Sequence, residues 1–219
     1  MAWFQTVVLF FQNGGVFMYP ILLVLALGLA IAIERYIYLT MTKGTNQRAW
    51  KDLMTLLSKR DYQGALTLTR KSKAAIATIL GYGLERSMSA WQRDDIETAM
   101  EEGLIEILPR VEKRTHYLAI FANVSTLLGL LGTIIGLIQA FTAVSTANPA
   151  ERAEMLSASI SVAMNTTAFG LMVAIPLLLI HTVLQTKTTE LVDSLEMASV
   201  KFLNIIVEAP PAPIQSRGK

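Results

Sequence analysis

STLLGLLGTIIGLIQAF, Ser125–Phe141, decides the fold. It is the centre of a segment, Tyr117–Ala147, that contains no Asp, Glu, Lys or Arg. A second such stretch, ISVAMNTTAFGLMVAIPLLLIHTVLQ, covers Ile160–Gln185. Each exceeds the run of about 20 apolar residues that crosses a bilayer as a helix. A helix that only had to sit in lipid could be leucine all round. These two instead keep Gly, Ala, Ser and Thr on one side, as helices do where they pack closely or line a path. Neither supplies a carboxylate, so any ion crossing here is carried by a group from elsewhere.

At about 100° per residue, Ala122, Ser125, Thr126, Gly129, Gly132, Thr133, Gly136, Ala140 and Ala143 fall within about 60° of one line. On the second helix Ala163, Thr167, Gly170, Ala174, His181 and Gln185 share a similar arc. Two readings stand. One is close helix packing, with Gly132 and Gly136 admitting a neighbouring backbone and the Thr hydroxyls bonded to their own helix. The other is a lumen walled by small residues, with Thr133 and Thr167 as its polar groups and Gly129, Gly132, Gly136, Ala163, Gly170 and Ala174 beside them. Asn165 lies about 160° from Thr167. A membrane amide needs a partner, so Asn165 is expected to tie its helix to another helix or subunit. Pro176 is expected to bend that helix.

The rest of the composition agrees. Of 219 residues, 53% are hydrophobic and 16% charged, with a mean hydropathy of +0.45, which is a membrane composition. A third spanning run, Val16–Ile33, continues into Tyr36-Ile37-Tyr38. It lacks the basic flank and cleavage site of a signal peptide. Before it, MAWFQTVVLFFQNGG places Trp3, Val7, Phe10 and Phe11 on one face, the pattern of an interfacial helix. There is no Cys, so disulfides and thiolate sites are excluded. His116 and His181 lack an acidic cluster, so no metal site is expected. A net charge of +2 does not suggest nucleic acid. No nucleophile–base pair or phosphate loop points to an enzyme, and no cofactor is expected.

Basic residues set the expected topology. Residues 1–34 carry none, whereas most of the 19 lie in 40–117. This predicts an all-α membrane protein with three transmembrane helices, N-terminus outside, and long helices extending into the cytoplasm. The expected organisation is an interfacial helix over 1–15, spans over 16–39, 117–144 and 158–186, a cytoplasmic helical region over 40–116, an outer (periplasmic) loop over 145–157, and a cytoplasmic extension with a disordered Pro-rich tail over 187–219. Within 40–116, helical periodicity breaks at Lys59–Asp61, at Lys71–Lys73 and at Ser89–Trp91. The charged helix from Asp94 to Lys113, kinked by Pro109, is expected to run into the second span without interruption. Glu34 and Arg35 read as an interfacial anchor pair, and His181 as an interfacial histidine.

GLLGTIIGL (Gly129–Leu137) resembles the GLFGTVWGI-type motif of ExbB/TolQ proteins, and NTTAFGLMVAIP (Asn165–Pro176) resembles their ATAIGLVAAIP-type motif. The spacing between the two threonines, the loop length and DYQGAL (Asp61–Leu66) also fit, so the resemblance covers nearly the whole chain. MotA flagellar stators are more distant, with four spans. The resemblance implies a pentamer in the bacterial inner membrane around a dimer of a single-span ExbD/TolR-like partner. That partner's membrane Asp would carry the ion, most simply a proton, and motion would pass to a TonB- or TolA-like envelope protein. Thr133 and Thr167 match the family's pore-lining threonines. Val162 stands where ExbB and TolQ usually have Glu, which points to a divergent branch. The rival expectation is a membrane scaffold whose stripes serve packing alone.

Overall fold

The computed structural model describes Phe10, residues 14–89 and residues 92–208. The expected interfacial helix and the Pro-rich tail lie almost wholly outside the described residues. Among the described residues, six helices follow in chain order: α1 (Met18–Ser58), α2 (Tyr62–Lys71), α3 (Ala75–Ser89), α4 (Arg93–Glu112), α5 (Thr115–Thr146) and α6 (Arg152–Glu208). Among the described residues there is no strand. Three stretches are long and apolar enough to cross a membrane: Met18–Ser58, Arg93–Thr146 and Arg152–Glu208. The protein is therefore all-α with three spanning helices.

The chain divides into two compact units. The first holds the chain up to Glu34 and Arg114–Leu184, which brings together the start of α1, α5 and the first part of α6. Its interior is built from Met18, Ile21 and Val24 on α1, Leu118, Ala122 and Ala140 on α5, and Ala163, Val173, Ala174 and Leu177 on α6. Large apolar side chains point outward instead, among them Leu23, Leu127, Ile134, Phe141, Met164 and Leu179. An apolar exterior around a small-residue interior is what lipid as solvent selects, since lipid contact costs leucine nothing and packing without a hydrophobic drive needs close approach.

The second unit holds Arg35–Lys113 and Gln185–Lys219. Here the pattern inverts to that of a water-soluble bundle. Leu53, Leu57, Ile76, Ile79, Leu80, Leu84, Ile96, Met100, Ile107, Leu191, Leu195 and Phe202 form the core, and ion pairs such as Arg70–Glu85 and Arg86–Asp95 lie on the surface. The breaks on either side of α2 fall where charge interrupts the periodicity. After α1, Arg60 takes a left-handed φ of 56°, and Asp61 then caps α2 by accepting from the Gly64 amide at 2.9 Å, the usual use of Asp at a helix start. At the start of α3 the orphan amide of Ile76 donates to the buried Asn46 side chain at 3.2 Å. Gly103 lets α4 approach α3 so closely that a Cβ there would lie 3.0 Å from the Cα of Ile79.

The expectation that α4 runs unbroken into α5 is corrected. A turn at Lys113–Arg114 separates them, and Arg114 is left-handed with φ 66°. Its guanidinium reaches Glu34 at 3.2 Å. Glu34 and Arg35 are therefore not a matched pair of interfacial anchors. Glu34 is half-exposed and pairs with Arg114, whereas Arg35 is only 2% exposed and donates to the Val111 carbonyl. That carbonyl lies in the last turn of α4, where no amide of the helix can reach it.

Candidate functional site

Within the first unit, hydroxyl groups meet where α5 packs on α6. The hydroxyls of Thr133 on α5 and Thr167 on α6 are hydrogen-bonded to each other. Both also reach the Gly129 carbonyl, Thr167 at 2.9 Å and Thr133 at 3.2 Å. Three oxygens thus converge from two helices, and each threonine is half-buried.

Small residues make this convergence possible. A Cβ on Gly129 would lie 3.2 Å from the Cα of Thr167 and 3.3 Å from that of Gly170. One on Gly170 would lie 2.7 Å from the Ser125 carbonyl oxygen. One on Gly132 would meet the Thr166 methyl at 2.5 Å, and one on Gly136 the Ala163 methyl at 2.9 Å. Gly129, Gly132, Ala163, Gly170 and Ala174 are all buried within the single chain. In the chain by itself, their small size serves contact between helices, whereas Thr133, Gly136 and Thr167 are partly open, as are Ala143 and His181, and Thr126 and Gln185 are exposed.

Asn165 is half-buried, and its amide makes no hydrogen bond among the described residues. His181 is half-buried on the same helix. No cluster of His, Asp and Glu able to hold a metal occurs among the described residues. Thr166, which lies off the small-residue stripe, is 2% exposed. Its hydroxyl bonds to the Gly14 carbonyl at 2.5 Å and to the Val162 carbonyl at 3.0 Å. Val162 itself packs under Gly15, where a Cβ would meet it at 3.2 Å. Val162 is half-buried, with the Gly14–Gly15 turn against one side of it. A wheel drawn for α6 alone holds no signal for this, because the partner is a turn 152 residues away.

The two threonine motifs, all of α5 and most of α6 fall inside the match to the MotA/TolQ/ExbB proton channel family, which covers residues 71–197. The chain belongs to that family. It is similar to a biopolymer transport protein ExbB homolog from Methanothermobacter thermautotrophicus, 28% identical over 89% of this chain and 68% of the relative. It is likewise similar to the biopolymer transport protein exbB1 of Vibrio cholerae, 27% identical over 75% of this chain and 73% of that protein. The Tol-Pal system protein TolQ of Haemophilus influenzae is 38% identical, over 36% of this chain and 34% of its own length. Family membership and three apolar helices together make this a multi-pass membrane protein of channel type.

Proposed function

We propose that this chain is the wall subunit of an ion-driven membrane motor. A single-span partner of ExbD/TolR type supplies the membrane carboxylate, and the work is passed to a TonB- or TolA-like envelope protein. The subunits form a ring, five in the simplest case, in the bacterial inner membrane with the N-terminus outside. Thr133 and Thr167 face the partner, and Gly129, Gly132, Ala163, Gly170 and Ala174 set the helix spacing behind them. The observation that carries this reading is the Thr133–Thr167–Gly129 oxygen cluster inside two helical stretches, 115–146 and 155–186, that hold no Asp, Glu, Lys or Arg.

The proton inventory of that cluster bounds what it does. A threonine hydroxyl donates one proton and accepts with two lone pairs. Here one hydroxyl proton goes to the other hydroxyl and the second goes to the Gly129 carbonyl. No donor remains, and lone pairs do. In this state the cluster receives a protonated carboxyl as a hydrogen-bond donor. It receives an ionised one only after a hydroxyl leaves its internal partner. A wall of this kind separates the two protonation states of a partner acid without titrating itself, which is useful where burial already favours the neutral form.

Packing alone is the second reading, and the close approach of Gly129 to Gly170 favours it. Thr133→Val and Thr167→Val decide between them, since each keeps the shape and removes a hydroxyl. Complex yield and ion-driven uptake are measured together, with the chain co-purified alongside whatever single-span protein it binds. Intact assembly with sharply reduced uptake is expected. Full uptake in both variants removes the cluster from the mechanism, and recovery of no partner with a membrane acid leaves the scaffold.

A further inference from the structure

Thr166 and Thr167 are neighbours with separate tasks. Thr167 turns toward α5 and the oxygen cluster. Thr166 is buried, and its one hydroxyl proton is shared between the Gly14 and Val162 carbonyls. The Val162 bond is local, from a residue to the carbonyl one turn back, as threonines in helices commonly make. The Gly14 bond is not local. It ties α6 to the turn that precedes α1. Three further contacts converge there. Gly15 is left-handed, with φ +73°, and lies over Val162. The Thr166 methyl fills the space that a side chain on Gly132 would need. Phe10 and Phe169 meet edge to face with ring centroids 6.5 Å apart.

We infer that Thr166 is a positioning residue. Its hydroxyl seats the Gly14–Gly15 turn on α6, and its methyl holds α5 at Gly132, so the register of the two helices behind the Thr133–Thr167 pair depends on it. The carbonyl of Gly14 is the reason the hydroxyl matters. A buried carbonyl in an apolar setting needs a donor, and Val162 beside it offers none. The inference rests on the reading that the threonine cluster takes part in coupling.

The test exploits the absence of Cys in this chain. Val162→Cys places a single thiol under the Gly14–Gly15 turn with little change in size. Its alkylation by a water-soluble maleimide, in membranes from cells making the full complex, reports whether the turn is seated. Thr166→Val and Thr166→Ala are each expected to speed alkylation about five-fold, the effect of losing one interhelical hydrogen bond in a membrane, and to lower ion-driven uptake. Thr166→Ser is expected to restore slow alkylation and most of the uptake. The Ala variant adds no bulk, so its result stands if the Val variant misfolds. Unchanged alkylation in Thr166→Ala overturns the anchor. Faster alkylation with unchanged uptake overturns the positioning role, and failure of Ser to restore both shows that shape matters and the hydroxyl does not. Full uptake in both Thr133→Val and Thr167→Val removes the threonine cluster from the mechanism separately, while the alkylation rates still decide the anchor.

Discussion

The guanidinium of Arg35 on α1 donates to the backbone carbonyl of Val111 at the end of α4. It also lies over the Tyr38 ring, 4.6 Å from the centroid. A buried cation is costly unless satisfied, and here a carbonyl and an aromatic face do part of that work. Arg35→Met removes the charge and strands the carbonyl, at a cost of about 2 kcal/mol for a bond to a charged group. Arg35→Lys keeps the charge but loses the planar stack and is expected to lose nearly as much. Thermal unfolding in mild detergent should show both variants melting several degrees lower; equal stability to wild type would show that water replaces the contact.

Gly170→Ala places a methyl 2.7 Å from the Ser125 carbonyl oxygen and 3.1 Å from the Cα of Gly129. Both obstacles are backbone, so the helices must part. Overpacking of this kind costs about 1–3 kcal/mol and separates the threonine hydroxyls. Gly44→Ala is the control. Its Cβ would meet nothing within 4 Å, and Ala is the better helix former by about 0.8–1 kcal/mol. Melting temperatures should therefore move in opposite directions. A tolerated Gly170→Ala would mean that α5 and α6 are looser than their glycines indicate.

Arg114 holds a left-handed φ that costs a side-chain-bearing residue roughly 1–2 kcal/mol. Its bridge to Glu34 is half-exposed and worth at most about 1 kcal/mol. Arg114→Ala loses the bridge and keeps the strain, whereas Arg114→Gly loses the bridge and relieves the strain. The Gly variant is expected to be the more stable by about 1 kcal/mol. The reverse order in denaturant titration would show that this turn reads as helix in solution.

Tyr82 donates to the Glu106 carboxylate at 3.0 Å. That bond, together with the negative charge of Glu106, raises its pKa above the ordinary tyrosine value. The phenolate would sit beside an anion, so the neutral form is favoured. Ultraviolet absorbance titration of wild type against Tyr82→Phe should isolate a tyrosine that ionises at unusually alkaline pH. Glu106→Gln should bring it back down. No change on that substitution would place the cause elsewhere.

Much of the fold is legible because the relevant signals are local. The breaks at Lys59–Asp61 and Lys71–Lys73 are charge clusters that interrupt apolar periodicity, and α2 and α3 begin just beyond them. α3 ends at Ser89, where the third break is expected, although no charge marks it and residues 90 and 91 lie outside the described residues. The Lys113–Arg114 turn is not legible. No Gly or Asn marks it, and the residue that pairs with Arg114 lies 80 positions upstream. The burial of Arg35 is hidden for the same reason, since it bonds to a carbonyl 76 positions away. Within the site, a helical wheel groups the small residues correctly but cannot say whether a face meets another helix or an open path. Thr166 shows the limit most plainly. It lies about 100° from Thr167, off the stripe, and its importance comes from a turn that no periodicity in α6 foreshadows.

The threonine cluster sits between stretches of α5 and α6, 115–146 and 155–186, that hold no Asp, Glu, Lys or Arg. In the motor proposed above, these membrane stretches hold no acid of their own to take up or release a proton, so proton transfer would belong to the assembled complex and not to this chain by itself.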